Sequence, residues 1–189
     1  VILEAGATSP SVSARLASLA MDHGAMLVIV EARENLRRTL ELAFEQETHV
    51  SVVEPAKLGS IPSVDLVVMA GVDSQQLLTG SDEVRSALRR FAASGSAVVF
   101  ADRAAAAYND FVFGLSENWF SASQSPEFPV GQLGTAQQIE DLLVGHGYAG
   151  AFVEEREFSE GRLVVASGTT APQVTASADK VGNLSLIHI

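Results

Sequence analysis

The chain has 189 residues, 47% of them hydrophobic and 19% charged, enough to bury the core of one ordinary domain and too apolar for a disordered segment. Its formal net charge of −11 repels phosphate backbones and anionic surfaces, and no run of Lys or Arg offers a local exception, so nucleic acid is excluded as a partner. The absence of Cys removes disulfides, thiolate metal sites and cysteine nucleophiles together, and no apolar run approaches the ~20 residues of a membrane helix.

In chain order, VILEAGATSPSVSARLASLAMD has strand-like pieces around a Gly-Ala-Thr-Ser-Pro turn. Residues 1–25 are expected to be the end of a preceding β-rich segment, in a fragment whose true start is missing. MLVIV (26–30) predicts a buried strand. ENLRRTLELAFEQE predicts a helix with Leu36, Leu40, Ala43 and Phe44 on its apolar stripe. HVSVVEP predicts a second strand, closed by Pro55. The unit then repeats. VDLVVMAG (64–71) is a strand. SDEVRSALRRFAASG (81–95) is a helix with Ser81 as N-cap, a stripe of Val84, Leu88, Phe91 and Ala92, and Gly95 as a left-handed stop. SAVVFAD (96–102) is the next strand.

Beyond Asp102 the pattern loosens. Phe111, Phe113, Trp119 and Phe120 form an aromatic cluster expected in the core, followed by a Pro- and Gly-containing loop. TAQQIEDLLVGHG predicts a short helix opened by a capping box of Thr135 and Gln138, with Ile139, Leu142 and Leu143 facing inward. AGAFVEEREF and GRLVVASG predict two strands joined as a hairpin near residues 159–161. Alternating strands and helices, with strands apolar on both faces, predict an α/β fold over residues 26–183. It is a parallel-rich sheet flanked by helices in three layers, flavodoxin-like or like a class I glutamine amidotransferase, with a C-terminal β-hairpin. The final hexapeptide, LSLIHI (184–189), looks like a translated sequencing-library adapter and is expected to be non-native.

Gly145, Gly147 and Gly150 spell G-x-G-x-x-G. A dinucleotide fingerprint needs those glycines after a strand and at a helix start, where amide groups point at the pyrophosphate. Here a helix precedes and a strand follows, so the run is expected to be a C-cap at Gly145 or Gly147. The strand at 26–30 offers no alternative, because EARENLRR contains no glycine.

Ligands in α/β sheets bind beyond the carboxyl ends of strands. That rule selects Glu31, Asp73, Ser74, Asp102 and Arg103 as candidate strand-end loop residues, with ordinary solvated loop side chains as the commoner explanation. LVIVEARENLRRTLELAFEQE looks like the first strand and helix of a phosphorelay receiver. The acidic pair has shrunk to Glu31 and Ala32, however, and Ala70 stands where the phosphorylated Asp belongs. An amidotransferase turn would need a Cys, and VVFADRAAAA has none. G-x-S-x-G is absent, and His23, His49 and His146 fall at no zinc spacing; each is expected at the surface or at a cap.

SARLASLAMDHGAMLVIV resembles the junction in bacterial aerotolerance-operon-type membrane proteins where a β-sandwich strand leads into a glutamine-amidotransferase-like domain. Leu19, Asp22 and Ala25 match, and His23 replaces the usual Asn. VDLVVMAGVDSQQLL, VRSALRRFAASGSAVVFADR and GRLVVASGTTAPQVTASADKVGN resemble later segments of that family, for coverage of about residues 12–183. The resemblance implies a noncatalytic interaction domain of a membrane-anchored, von Willebrand A-associated protein in the bacterial cell envelope, on its extracytoplasmic side. It implies no cofactor and no metal. Its partners would be proteins or other domains of the same chain, with membrane contact only through missing flanking segments. The alternative is a degenerate receiver-like signalling domain without the phospho-acceptor Asp. A third class is an enzyme using Asp73 or Asp102 in a cleft with Arg103.

Overall fold

The computed structural model describes residues 1–7, 10–61, 63–70, 82–103, 111–112, 135–149, 151–158 and 161–169. The elements are β1 (Ile2–Ala5), α1 (Pro10–Asp22), β2 (Leu27–Val30), α2 (Glu34–Ala43), β3 (Val50–Val53), a 3-10 turn (Pro55–Ser60), β4 (Leu66–Ala70), α3 (Asp82–Ala93), β5 (Ala97–Arg103), α4 (Ala136–Gly145), β6 (Phe152–Phe158) and β7 (Gly161–Thr169). They build one seven-stranded sheet in the order β3-β2-β1-β4-β5-β7-β6. The first five strands are parallel. β7 enters antiparallel between β5 and β6, and β6 and β7 pair antiparallel as the sequence predicts.

Period-2 alternation sorts the strand side chains onto two faces. Ile2, Leu27, Ile29 and Val68 point to the face covered by α1 and α2, where Ala17, Ala20 and Leu40 meet them. Leu3, Val30, Val67, Met69, Val98 and Phe100 point to the other, against Leu88 and Phe91 of α3 and Ile139 and Leu143 of α4. α1 buries only Ser13, Ala17 and Ala20, a stripe of small side chains that suits close approach of the helix to the sheet. α2 buries Leu40 with Leu36 and Phe44 partly covered, whereas Ala43 is exposed. The Thr135–Gln138 capping box forms in both directions at the start of α4. Gly95 takes the positive φ expected at the end of α3.

The α/β sheet flanked by helices stands as expected. The finer expectation of an amidotransferase-like or flavodoxin-like layout does not, because a flavodoxin-like sheet runs 2-1-3-4-5 and this one places β1 between β2 and β4. Residues 1–25 supply β1 and α1, and β1 pairs with strands on both sides, Ile2 facing Leu27 and Leu66. MLVIV is therefore the second strand of this sheet, and the receiver alignment that treated it as the first is out of register with the fold. Ser81, Phe113, Trp119, Phe120, the turn residues 159–160 and the tail 184–189 lie outside the described residues, and Phe111 is exposed.

Candidate functional site

β1 sits where the strand order reverses. The chain passes from β1 outward to β2 and β3, then returns to β4 on the other side. In α/β sheets ligands bind beyond the carboxyl ends of the strands at such a switch point. Here that position lies beside the residues that follow β1 and the segment joining β2 to α2. Gly6 opens the turn after β1 at φ 81°, a conformation that L side chains resist, and its N–H bonds to Val30 O at 2.9 Å, tying the turn to the end of β2.

Two carboxylates flank this turn on one face of the sheet. Glu4 lies inside β1, fully buried, and its neighbour across the ladder is Ile29, two residues before Glu31. Neither oxygen of Glu4 has a hydrogen-bond partner among the described residues. Burial pushes its carboxyl above the usual 4.5. The nearby Ser13 hydroxyl, in the first turns of α1, offsets this only in part, and the charge of Glu31 adds to the rise. Burying a carboxyl without a hydrogen-bond partner costs free energy, which marks Glu4 as a candidate ligand-binding residue.

Glu31 is only 2% exposed, yet it is fully served. The Arg33 backbone N–H donates to Oε1 at 2.7 Å, Arg33 Nε donates to Oε1 at 2.8 Å, and Arg33 Nη2 donates to Oε2 at 3.0 Å. Burial alone would raise the Glu31 carboxyl. The side-chain bonds from Arg33, its amide, its charge and the Ala7 backbone together outweigh burial and hold it below 4.5. Arg33 Nη2 also donates to Ala7 O at 2.5 Å, so one guanidinium spans from the end of β2 to the β1–α1 turn.

The other predicted site residues do not join this group. Asp102 and Arg103 are not loop residues. β5 runs on through Arg103, with Asp102 opposite Val164 and Arg103 opposite Leu163 of β7, and the Arg103 N–H donates to Asp102 Oδ1 at 2.7 Å. β5 is three strand positions from β2, roughly 14 Å at ordinary sheet spacing. Asp73 and Ser74 lie outside the described residues. The glycine run behaves as a helix stop: His146 caps α4 and Gly147 follows at φ 96°. Among the described residues no group of three His, Asp or Glu side chains is placed to hold a metal, and no helix is long and apolar enough to cross a membrane.

Of the residues gathered at this end of the sheet, Glu31 was among the candidates named from sequence, and Glu4, Gly6 and Arg33 were not. The available signal was VILEAG itself, an apolar strand carrying one carboxylate and ending in glycine before a helix. The strand-Gly-helix order sought at residues 144–150 is present at the start of the chain.

No protein-family model and no curated protein matches the sequence. Solved structures do. The CurJ carbon methyltransferase superposes with a TM-score of 0.67 at 15% identity, over 90% of this chain and 48% of that one. The CMeT domain of the citrinin polyketide synthase gives 0.66 at 15% identity, over 90% and 46%. Magnesium protoporphyrin IX methyltransferase (ChlM) from Synechocystis PCC 6803, with bound SAH, gives 0.59 at 12% identity, over 90% and 74%. The fold is that of a methyltransferase.

At these identities the likeness is one of fold, and the chain spans about half the length of the first structures it matches. It nevertheless corrects the resemblance drawn from sequence. An amidotransferase-like domain of an aerotolerance-type, von Willebrand A-associated membrane protein is not what the fold matches, nor is a receiver. The expectation of a noncatalytic domain falls with it, since the matching structures are methyltransferases, several of them with SAH bound. The segments quoted for that resemblance are short apolar strands and amphipathic helices, which recur in every α/β sheet.

Proposed function

We propose that this chain is the S-adenosylmethionine-binding domain of a methyltransferase, with its site at the carboxyl ends of β1 and β2. The observation that carries the reading is the Glu4 carboxyl, buried and without a hydrogen-bond partner among the described residues, at the switch point of a sheet that shares its fold with methyltransferases. A ligand with an ammonium group supplies what Glu4 lacks. A ligand with a ribose supplies hydroxyls to a carboxylate at the end of the adjacent strand, the position of Glu31.

The cofactor contributes a methyl group on a cationic sulfonium, a good leaving group for transfer to a nucleophile. The residues of this chain bind and orient. Glu4 gains a charge-assisted hydrogen bond to the ammonium in place of a carboxyl buried without a hydrogen-bond partner among the described residues. Gly6, without a Cβ, lets the ligand approach the turn backbone. The N-terminal end of α1 has no acidic side chain in its first turn, so its partial positive charge stays available to the carboxylate of the amino-acid moiety. Glu31 accepts from the ribose diol.

Isothermal titration of the chain with S-adenosylhomocysteine tests this. One saturable site is expected, weakened at least tenfold in Glu4→Gln, since the lost interaction is a charge-assisted bond worth about 1.5–3 kcal/mol. No saturable binding at millimolar ligand, or binding of NAD⁺ in its place, would overturn the reading.

A further inference from the structure

We infer that Arg33 is a positioning residue that occupies the diol-binding face of Glu31 and must swing aside for a ribose 2′,3′-diol to bind there. The inference rests on the proposed cofactor site and adds a control element to it.

A carboxylate has about four acceptor positions. At Glu31 the Arg33 amide and Nε take two on Oε1 and Arg33 Nη2 takes one on Oε2, while the Ala7 backbone also stabilises the anion. A vicinal diol needs both oxygens at once. In this arrangement it finds them engaged, in a carboxylate only 2% exposed. The obstruction is the side chain and not the backbone. The Arg33 side chain is 65% exposed, sits on a flexible stem at the residue before α2, and reaches back to Ala7 O at 2.5 Å. Its departure frees Nε and Nη2 positions on two different oxygens, the pair of contacts that two adjacent hydroxyls replace. The Arg33 N–H to Oε1 bond is untouched by that movement, so Glu31 stays oriented while the guanidinium leaves. The same departure breaks the tie to Ala7 and releases the β1–α1 turn from β2 on that side.

The guanidinium therefore competes with the ribose. Its removal should tighten ligands that carry a 2′,3′-diol and leave others unchanged. A residue that merely held the turn in shape would affect both alike, or weaken both.

The test compares wild type, Arg33→Gln and Arg33→Lys by calorimetric titration with adenosine, 2′-deoxyadenosine and S-adenosylhomocysteine. Arg33→Lys keeps the positive charge beside Glu31 and guards against loss of folding in the neutral variant. Adenosine and S-adenosylhomocysteine should bind Arg33→Gln at least about tenfold more tightly, as expected when the two charge-assisted bonds from Arg33 to Glu31 no longer have to be broken. Arg33→Lys should show a smaller gain in the same direction, and 2′-deoxyadenosine should bind all three proteins equally. Equal or weaker binding of S-adenosylhomocysteine to both variants overturns the competition while the cofactor site stands. Absence of binding to wild type and variants alike overturns the cofactor site, and the role of Arg33 falls with it.

Discussion

The Tyr148 hydroxyl lies 3.1 Å from Ser96 Oγ, both side chains buried, and joins the turn after α4 to the residue before β5. It is a polar contact in a layer containing Phe91, Val98 and Leu143. Burial pushes the Tyr148 phenol above 10.0, and the Ser96 bond returns part of that shift. Tyr148→Phe leaves Ser96 Oγ buried without its partner, at a cost of about 1–3 kcal/mol, or roughly 2–12 °C in Tm for a domain of this size. Adding Ser96→Ala should recover much of the loss. Urea denaturation of the four proteins of the cycle measures this, and full additivity of the two single losses would show that the hydroxyls do not interact.

A second prediction concerns the start of α4. Thr135 Oγ1 accepts from Gln138 N at 3.3 Å, and the Thr135 N–H donates to Gln138 Oε1 at 2.8 Å. α4 carries Ile139 and Leu143 into the core, so fraying there loosens the layer over β4 and β5. Thr135→Ala should cost about 1 kcal/mol, and Thr135→Ser much less. Hydrogen exchange should show faster exchange of the first-turn amides of α4 in the alanine variant. Unchanged exchange there would show that tertiary packing alone sets the helix start.

Local signals were legible in the sequence, and those that depend on neighbouring strands were not. The capping box at Thr135 and the stop at Gly95 are written within four residues, and both formed. Leu40, Leu88 and Phe91 are large enough for a helical stripe to stand out. α1 hid because its buried positions are Ser13, Ala17 and Ala20, whose small side chains give little periodic contrast. β1 hid because a carboxylate inside an apolar strand looks like a strand boundary; nothing local says that both flanking strands will close over Glu4. Arg33 is largely exposed, as a charge next to α2 in sequence would be, but its head group returns to Glu31 and Ala7. Asp102 and Arg103 looked like loop residues because the antiparallel partner that extends β5 through them lies some sixty positions downstream, at Val164 and Leu163.

His146 gives a pH prediction. It is buried at the C-cap of α4, its Nδ1 has no hydrogen-bond partner among the described residues, and its imidazole is held below 6.5 by burial first, then by the charges of Arg89 and Arg85 on α3. The unfolded chain takes up its proton near 6.5 while the folded chain refuses it. The folded state thus has its full stability above that pH and loses it as pH falls through about 6.5 toward the depressed value. His146→Gln should remove this component. Urea midpoints at pH 7.5 and 5.5 should fall less in the variant than in wild type; an equal fall would show that His146 protonates without resistance.

Glu4 links stability to function with the opposite sign. Burial raises its carboxyl above 4.5, so the folded state holds the proton more tightly than the unfolded chain. Stability is therefore lost as pH rises through 4.5 toward the raised folded value, and at neutral pH the fold bears the cost of a carboxyl buried without a hydrogen-bond partner among the described residues. Glu31, held below 4.5 by Arg33, behaves in reverse and loses its contribution as pH falls below 4.5. Glu4→Gln removes the charge while keeping the side-chain length. It should raise stability at pH 7 by about 1–2 kcal/mol, a gain that shrinks toward pH 4 as the wild-type carboxyl protonates. If Glu4 is kept for an ammonium ligand, the more stable variant must be the weaker binder, and saturating S-adenosylhomocysteine should stabilise wild type far more than Glu4→Gln. Thermal melts with and without ligand, at pH 7 and pH 4.5, separate the two effects. A variant that gains stability and still binds the ligand with undiminished affinity would make the buried carboxylate a burden on the fold with no role at the site.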